Sequence, residues 1–182
     1  MSRLGKRPIK INDGVTVNIE NGRVLLSGSK GERTIDFPEV IKVTKDGDNL
    51  IVDRTGNKNY EKSQHGLIAR LLIGAIEDLS NGAKKELEFK GTGYRVKAEN
   101  GKVFLNMGYS HEIVLEIPEG VTVDVVKNSI IVEGSNRVIV GEFAAKIREV
   151  RPPEVYKGKG IKYKEETIRR KAGKTAQSAG KA

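Results

Sequence analysis

The sequence predicts an α+β protein made of two similar domains in tandem, each a small, largely antiparallel sheet with one helix packed on a face, followed by a basic C-terminal extension. Three observations predict it: a repeat at an offset of 79 to 80 residues, apolar-polar alternation ahead of a helical stripe in each half, and a charge excess gathered in the last sixth of the chain.

The repeat sets the organisation. VTVNIENGRVLL from Val15 matches YRVKAENGKVFL from Tyr94, sharing Glu-Asn-Gly, a basic residue and Val at an offset of 79. FPE at 37–39 matches IPE at 117–119, and LIVD at 50–53 matches IIVE at 130–133, both at an offset of 80. Matches kept in order at nearly one offset mark a duplication, so the two halves should share a fold.

In the first half Val15, Val17 and Ile19 alternate with polar residues, the period that turns one side of a strand to a core. Asn-Gly at 21–22 and 100–101 are hairpin turns. Leu67, Ile68, Leu71, Leu72, Ala75, Ile76 and Leu79 form a helical stripe that Asn81-Gly82 stops. His65, at the start of that helix, is expected to cap it or to face solvent. The second half repeats the order: Val103, Leu105 and Met107, then Ile113, Leu115 and Ile117, then a helix capped by Asn136, carrying Ile139, Val140, Phe143, Ala144 and Ile147, and ended by Pro152. The boundary falls near SNGAKK at 80–85, giving domains 1–81 and 82–164 and a basic tail, 165–182. In the tail, Glu165 with Arg169 and Glu166 with Arg170 have helical i,i+4 spacing, but a helix shorter than about 12 residues is marginal in water.

Composition narrows the function. The 182 residues contain no cysteine, which excludes disulfides and thiolate metal sites and fits a reducing compartment. No apolar run approaches the roughly 18 residues of a membrane span, and MSRLGKRPIK lacks the apolar core of a signal peptide. A soluble, cytoplasmic protein is expected. The formal net charge is +9, and ten basic residues against three glutamates between Arg151 and Ala182 place seven of those charges in the last sixth. Charge concentrated in this way reads as a binding element for a polyanion.

Catalytic motifs fare poorly. AGKT at 172–175 resembles the end of a phosphate-binding loop, but Ile168 stands where that motif needs its first glycine. GTGYRV (91–96) and GKGIKY (158–163) each lack the third glycine of a dinucleotide fingerprint. His65 and His111 are 46 residues apart and have no metal-ligand spacing. No cofactor, metal or catalytic residue is assigned, and an enzyme is not expected. The stretch RPPEVYKGKGIKYKEE, 151–166, is different: Lys157, Lys159, Lys162 and Lys164 can neutralise phosphates, and Gly158 and Gly160 allow close backbone approach. Tyr156 and Tyr163 either stack on bases or ribose or pack back on the domain.

PPEVYKGKGIKY resembles the signature of the universal large-subunit ribosomal protein L6 family, bacterial type. SRLGKRPI, GTGYR, NMGYSH and IRRKAGK extend the resemblance over the whole chain. Val155, and Glu112 after His111, stand where family members carry Pro. The resemblance implies a structural constituent of the large ribosomal subunit that binds 23S-type rRNA near the sarcin-ricin loop and the stalk base, where translation factors dock. Its implied partners are rRNA and neighbouring ribosomal proteins, with no membrane and no DNA. The rRNA contacts it implies are Tyr156, Lys157, Gly158, Lys159, Gly160 and Lys162, and the adjoining Arg151, Lys164, Arg169, Arg170, Lys171 and Lys174 extend the basic surface. Gly91, Gly93, Tyr94, Arg95, Tyr109, Ser110 and His111 form a second tier. Residues 172–182 are expected to be ordered only by rRNA. The alternatives are a non-ribosomal RNA-binding module and a polybasic membrane-surface module, although the tail offers the latter only Ile168 as a large apolar residue.

Overall fold

The structure, a computed structural model, describes residues 5–171. These divide into two compact units, one running to Ala83 and including Ser135–Arg137, the other comprising Lys84–Gly134 and the residues from Val138 onward.

Unit 1 contains β1 (Ile9–Lys10), β2 (Thr16–Glu20), β3 (Arg23–Gly28), β4 (Gly31–Asp36), β5 (Ile41–Asp46), β6 (Asn49–Arg54) and α1 (Asn59–Asn81). The strands form two three-stranded sheets, β2-β3-β4 and β1-β6-β5. Glu20 pairs with Arg23 across the two residues Asn21-Gly22, as the Asn-Gly signal requires. Helix α1 begins where the Glu61 carboxylate accepts the Lys58 N–H at 2.7 Å, and it ends where Gly82 donates its N–H to Asp78 O at 2.8 Å. It buries Ile68, Ala69, Leu72, Ala75, Ile76 and Leu79 among Val17, Val24, Leu26, Ile41, Leu50 and Val52 from the strands. Leu67 is half exposed, because it sits one residue, about 100° of helix, ahead of the buried stripe that starts at Ile68.

Two charged or polar groups lie in this core. Asp78 is neutralised by Arg33 Nη1 at 3.2 Å and Arg137 Nε at 2.8 Å, as a buried carboxylate requires. His65 corrects an expectation: it neither caps the helix nor faces water, but is 4% exposed, with Nε2 2.8 Å from Val52 O. A polar side chain six residues into the helix can be buried because a strand carbonyl satisfies it.

Unit 2 repeats the plan with β7 (Ala83–Lys90), β8 (Arg95–Glu99), β9 (Lys102–Asn106), β10 (Ile113–Glu116), β11 (Val121–Val126), β12 (Ser129–Gly134) and α2 (Arg137–Val150), and adds β13 (Gly160–Tyr163); the first residues of β7 and α2, Ala83 and Arg137, belong to unit 1. The sheets are β10-β9-β8 and β11-β12-β7-β13. The strand order β2-β3-β4 becomes β8-β9-β10, and β1-β6-β5 becomes β7-β12-β11, so both units have one topology. Hydrogen bonds outside the ladders repeat as well. Phe37 donates to Gly22 O at 2.8 Å and Ile117 to Gly101 O at 2.9 Å, while Ile11 donates to Asp48 O at 2.8 Å and Phe89 to Asn128 O at 3.0 Å.

One feature differs from the sequence reading: each half divides its strands between two small antiparallel sheets instead of one. The tail forms no helix over residues 165–171, in line with the marginal stability of so short a helix, and Glu166 pairs with Arg148 on α2 instead of Arg170. Lys174 and the expected ordering of 172–182 lie outside the described residues.

Candidate nucleic-acid interface

After α2 the chain turns at Pro152-Pro153, forms a closed loop and returns as β13 on the edge of β7. The loop is fastened internally: Glu154 N–H donates to Lys159 O at 2.7 Å, Gly158 N–H to Glu154 O at 3.1 Å and Ile161 N–H to Arg151 O at 2.8 Å. Lys171 N–H, from the far side of β13, donates to Val155 O at 3.0 Å. Register then fixes β13, with Gly160 opposite Lys90, Ile161 opposite Phe89, Lys162 opposite Glu88 and Tyr163 opposite Leu87. Ile161 is fully buried and anchors the strand in the core of unit 2.

The two glycines serve the loop itself. Gly160 has φ +133°, and a Cβ there would lie 2.6 Å from Pro152 O and 2.7 Å from Pro153 Cα, so only glycine lets the strand pass the proline turn. Gly158 has φ +69° and lies against the Arg170 guanidinium. Both are buried.

The lysines fall into two groups. Lys162 Nζ is 3.1 Å from Glu88 and Lys164 Nζ is 2.9 Å from Glu86, cross-strand ion pairs that use part of their charge within the sheet. Lys157 is exposed and Lys159 half buried, and neither forms an ion pair among the described residues. The tyrosines divide likewise. Tyr156 stands exposed, while Tyr163 is half buried with the Arg148 guanidinium 5.8 Å from its ring centre.

The structure brings Gly91 and Tyr94 of the second tier to the loop, and Tyr109 to Arg151. A cleft of about 320 Å³ is bounded by Gly91, Tyr94, Lys90, Asn128, Lys157 and Lys159, joining the GTGY loop to the Lys-Gly loop. A larger cleft, about 640 Å³, takes Gly158, Gly160, Lys162, Lys164 and Arg170 with the carboxylates of Glu88 and Glu166. Arg151 meets the second tier on another side. Its guanidinium lies 5.1 Å from the centre of the Tyr109 ring, whose hydroxyl donates to Val150 O at 2.9 Å. Tyr109, then Tyr94, push the Arg151 pKa above its ordinary value. Gly93, Arg95, Ser110 and His111 are exposed and line neither cleft, and Arg169, Arg170 and Lys171 are exposed along the departing chain.

Lys90 escaped the sequence reading. It lines both clefts and sits opposite Gly160, and its signal was the Lys that precedes GTGY in FKGTGY. Arg148 was missed as well, because its partner Glu166 lies 18 positions further along the chain. Among the described residues no cluster of His, Asp and Glu could hold a metal ion, and no helix is long and apolar enough to cross a membrane.

Fold and site together define a duplicated α+β protein that presents a cationic, glycine-tightened face on its second copy. The chain belongs to the ribosomal protein L6 family, whose pattern matches residues 11–72 and 90–164. It is 46% identical to the large ribosomal subunit protein uL6 of Natranaerobius thermophilus over 97% of this chain and 100% of that one. It is 45% identical to the protein of the same name from Moorella thermoacetica over the full length of both, and 47% identical to that of Gloeothece citriformis over 97% of this chain and 99% of the relative. The family is one of ribosomal proteins, not of enzymes.

Proposed function

We propose that the chain is a structural component of the large ribosomal subunit that docks on large-subunit rRNA through unit 2, beside the sarcin-ricin loop and the stalk base, with ribosomal proteins and translation factors as neighbours. One observation carries the reading: Lys157 and Lys159, without carboxylate partners among the described residues, share a cleft with Lys90 and Tyr94. Cations on a fixed backbone suit phosphate contacts, which set position without reading sequence.

The test is the salt dependence of rRNA affinity. Replacing Lys157 and Lys159 by Ala should flatten the slope of log affinity on log salt by roughly 0.7 to 0.9 per lost contact. Lys10→Ala with Lys42→Ala, in unit 1, is the charge-matched control and should do much less. An equal effect from the control would overturn the reading. The location is tested separately: the chain has no cysteine, so Lys157→Cys can carry a tethered hydroxyl-radical source in assembled subunits. Cleavage away from the sarcin-ricin region would refute the placement.

A further inference from the structure

The duplication lets each sheet edge be compared with its counterpart. In unit 2 the edge of β7 is covered by β13, with Ile161 buried and Lys162 paired to Glu88 at 3.1 Å. In unit 1 the counterpart of β7 is β1, and no strand of the described residues covers its outer edge. The matched bonds Ile11 to Asp48 O and Phe89 to Asn128 O set Lys10 in the place of Glu88. Backbone groups on an antiparallel strand alternate in direction. Since Ile11 bonds toward the β6 side, the N–H and C=O of Lys10 point to the open edge, as those of Glu86 and Glu88 point to β13.

Beside that edge lies a groove of about 250 Å³, walled by Arg7, Pro8, Lys10, Ile73, Ile76 and Glu77, and the Glu77 carboxylate is taken up by Arg137 Nη2 at 2.8 Å. Ile73 is only partly buried. The sign of the edge is reversed between the units: unit 2 offers Glu88 and receives a lysine strand, whereas unit 1 offers Lys10 with Arg7 nearby.

We infer that the β1 edge is a strand-addition site for an extended acidic segment of a partner protein, in which a carboxylate faces Lys10 and an alternate apolar side chain enters the groove over Ile73 and Ile76. Main-chain bonds supply the affinity in such additions, and the alternating side chains supply the choice of partner. Pro8 has a carbonyl and no N–H, so the ladder is short and centred on Lys10. A second copy of this chain pairing edge to edge would bring Lys10 against Lys10. A phosphodiester would find no partner in the isoleucine wall. This surface is independent of the rRNA docking proposed for unit 2.

The test uses the full-length protein and, as probe, a synthetic peptide of its own residues 157–165 carrying Lys162→Glu. At saturation the Lys10 amide should exchange about tenfold more slowly. The peptide should bind the native protein about fivefold more tightly than the Lys10→Glu variant, and the unaltered 157–165 peptide should show the opposite preference. Lys10 is exposed, so Lys10→Glu should leave the fold intact, and Ile73→Glu should weaken both peptides. Unchanged exchange at Lys10, or affinities indifferent to the charge at position 10, would overturn the inference. So would protection of Lys10 by single-stranded RNA or by self-association in place of the peptide.

Discussion

Arg148 holds Glu166 with two bonds, Nε to Oε2 at 2.9 Å and Nη2 to Oε1 at 2.5 Å. The Tyr163 N–H donates to the same carboxylate at 3.1 Å. This fork ties α2 to the chain just beyond β13 and decides the course of residues 164–171. Arg148 first, and the Tyr163 N–H after it, hold the Glu166 carboxyl below its ordinary value of 4.5. A carboxyl lowered in the folded state contributes stability that is fully present above the unfolded value and lost as pH falls through the folded one. Amide protection factors in 164–171 should therefore be constant from neutral pH down to about pH 5 and decline below 4.5. Glu166→Gln should abolish that decline and lower protection throughout. A native profile that stays flat below pH 4 would refute the tie.

Gly160→Ala should destabilise unit 2 by roughly 1 to 3 kcal/mol, the range for an enforced unfavourable backbone, because its Cβ would meet the Pro152 carbonyl. Gly158→Ala should cost less, since the nearest atom is the movable Arg170 Nη2 at 3.2 Å. Urea unfolding of both variants decides the order. Loss of rRNA affinity in the position-160 variant is then expected to follow loss of loop structure.

Ile161→Ala removes a fully buried side chain from the edge strand and should cost about 2 to 5 kcal/mol. Exchange should quicken first at Lys164, whose N–H donates to Glu86 O across the same pairing. A loss under about 1 kcal/mol would mean that β13 is an ornament on the sheet and not part of its core.

Lys162 and Lys164 should contribute less to the salt slope than Lys157 and Lys159. Their pairing with Glu88 and Glu86 already neutralises part of their charge. Replacing both by Ala should change the slope by less than the roughly 0.7 to 0.9 per contact expected of a free lysine. An equal change would show that rRNA displaces the carboxylates.

Lys127 has φ +53° at the hairpin position where unit 1 has Gly47 at +55°. A left-handed conformation costs a residue with a Cβ about 1 kcal/mol or more. Lys127→Gly should therefore raise the urea midpoint with the slope unchanged.

What could be read directly from the sequence was local or repeated. The Asn-Gly turns, the alternation through Val103, Leu105 and Met107, and the Gly82 stop are encoded within a few residues, and the offset of 79 to 80 then carried the plan from one half to the other. β13 escaped that logic. IKY lies between glycines and lysines and reads as a surface loop, and only Ile161 pairing with Phe89, 72 positions earlier, makes it a strand. The same distance hid Lys90 from the candidate interface and concealed that Lys162 and Lys164 have carboxylate partners. His65 was misplaced because the strand carbonyl that satisfies it comes from β6, a partner that helix periodicity does not reveal.

The late position of β13 also bears on the order of events during synthesis. Every other strand of its sheet is encoded between Ala83 and Gly134, yet the edge is supplied by Gly160–Tyr163. A nascent chain that has emerged only as far as Lys159 already carries both loop lysines but lacks the strand that fixes them. Chains that end before Gly160 would thus present charge without shape.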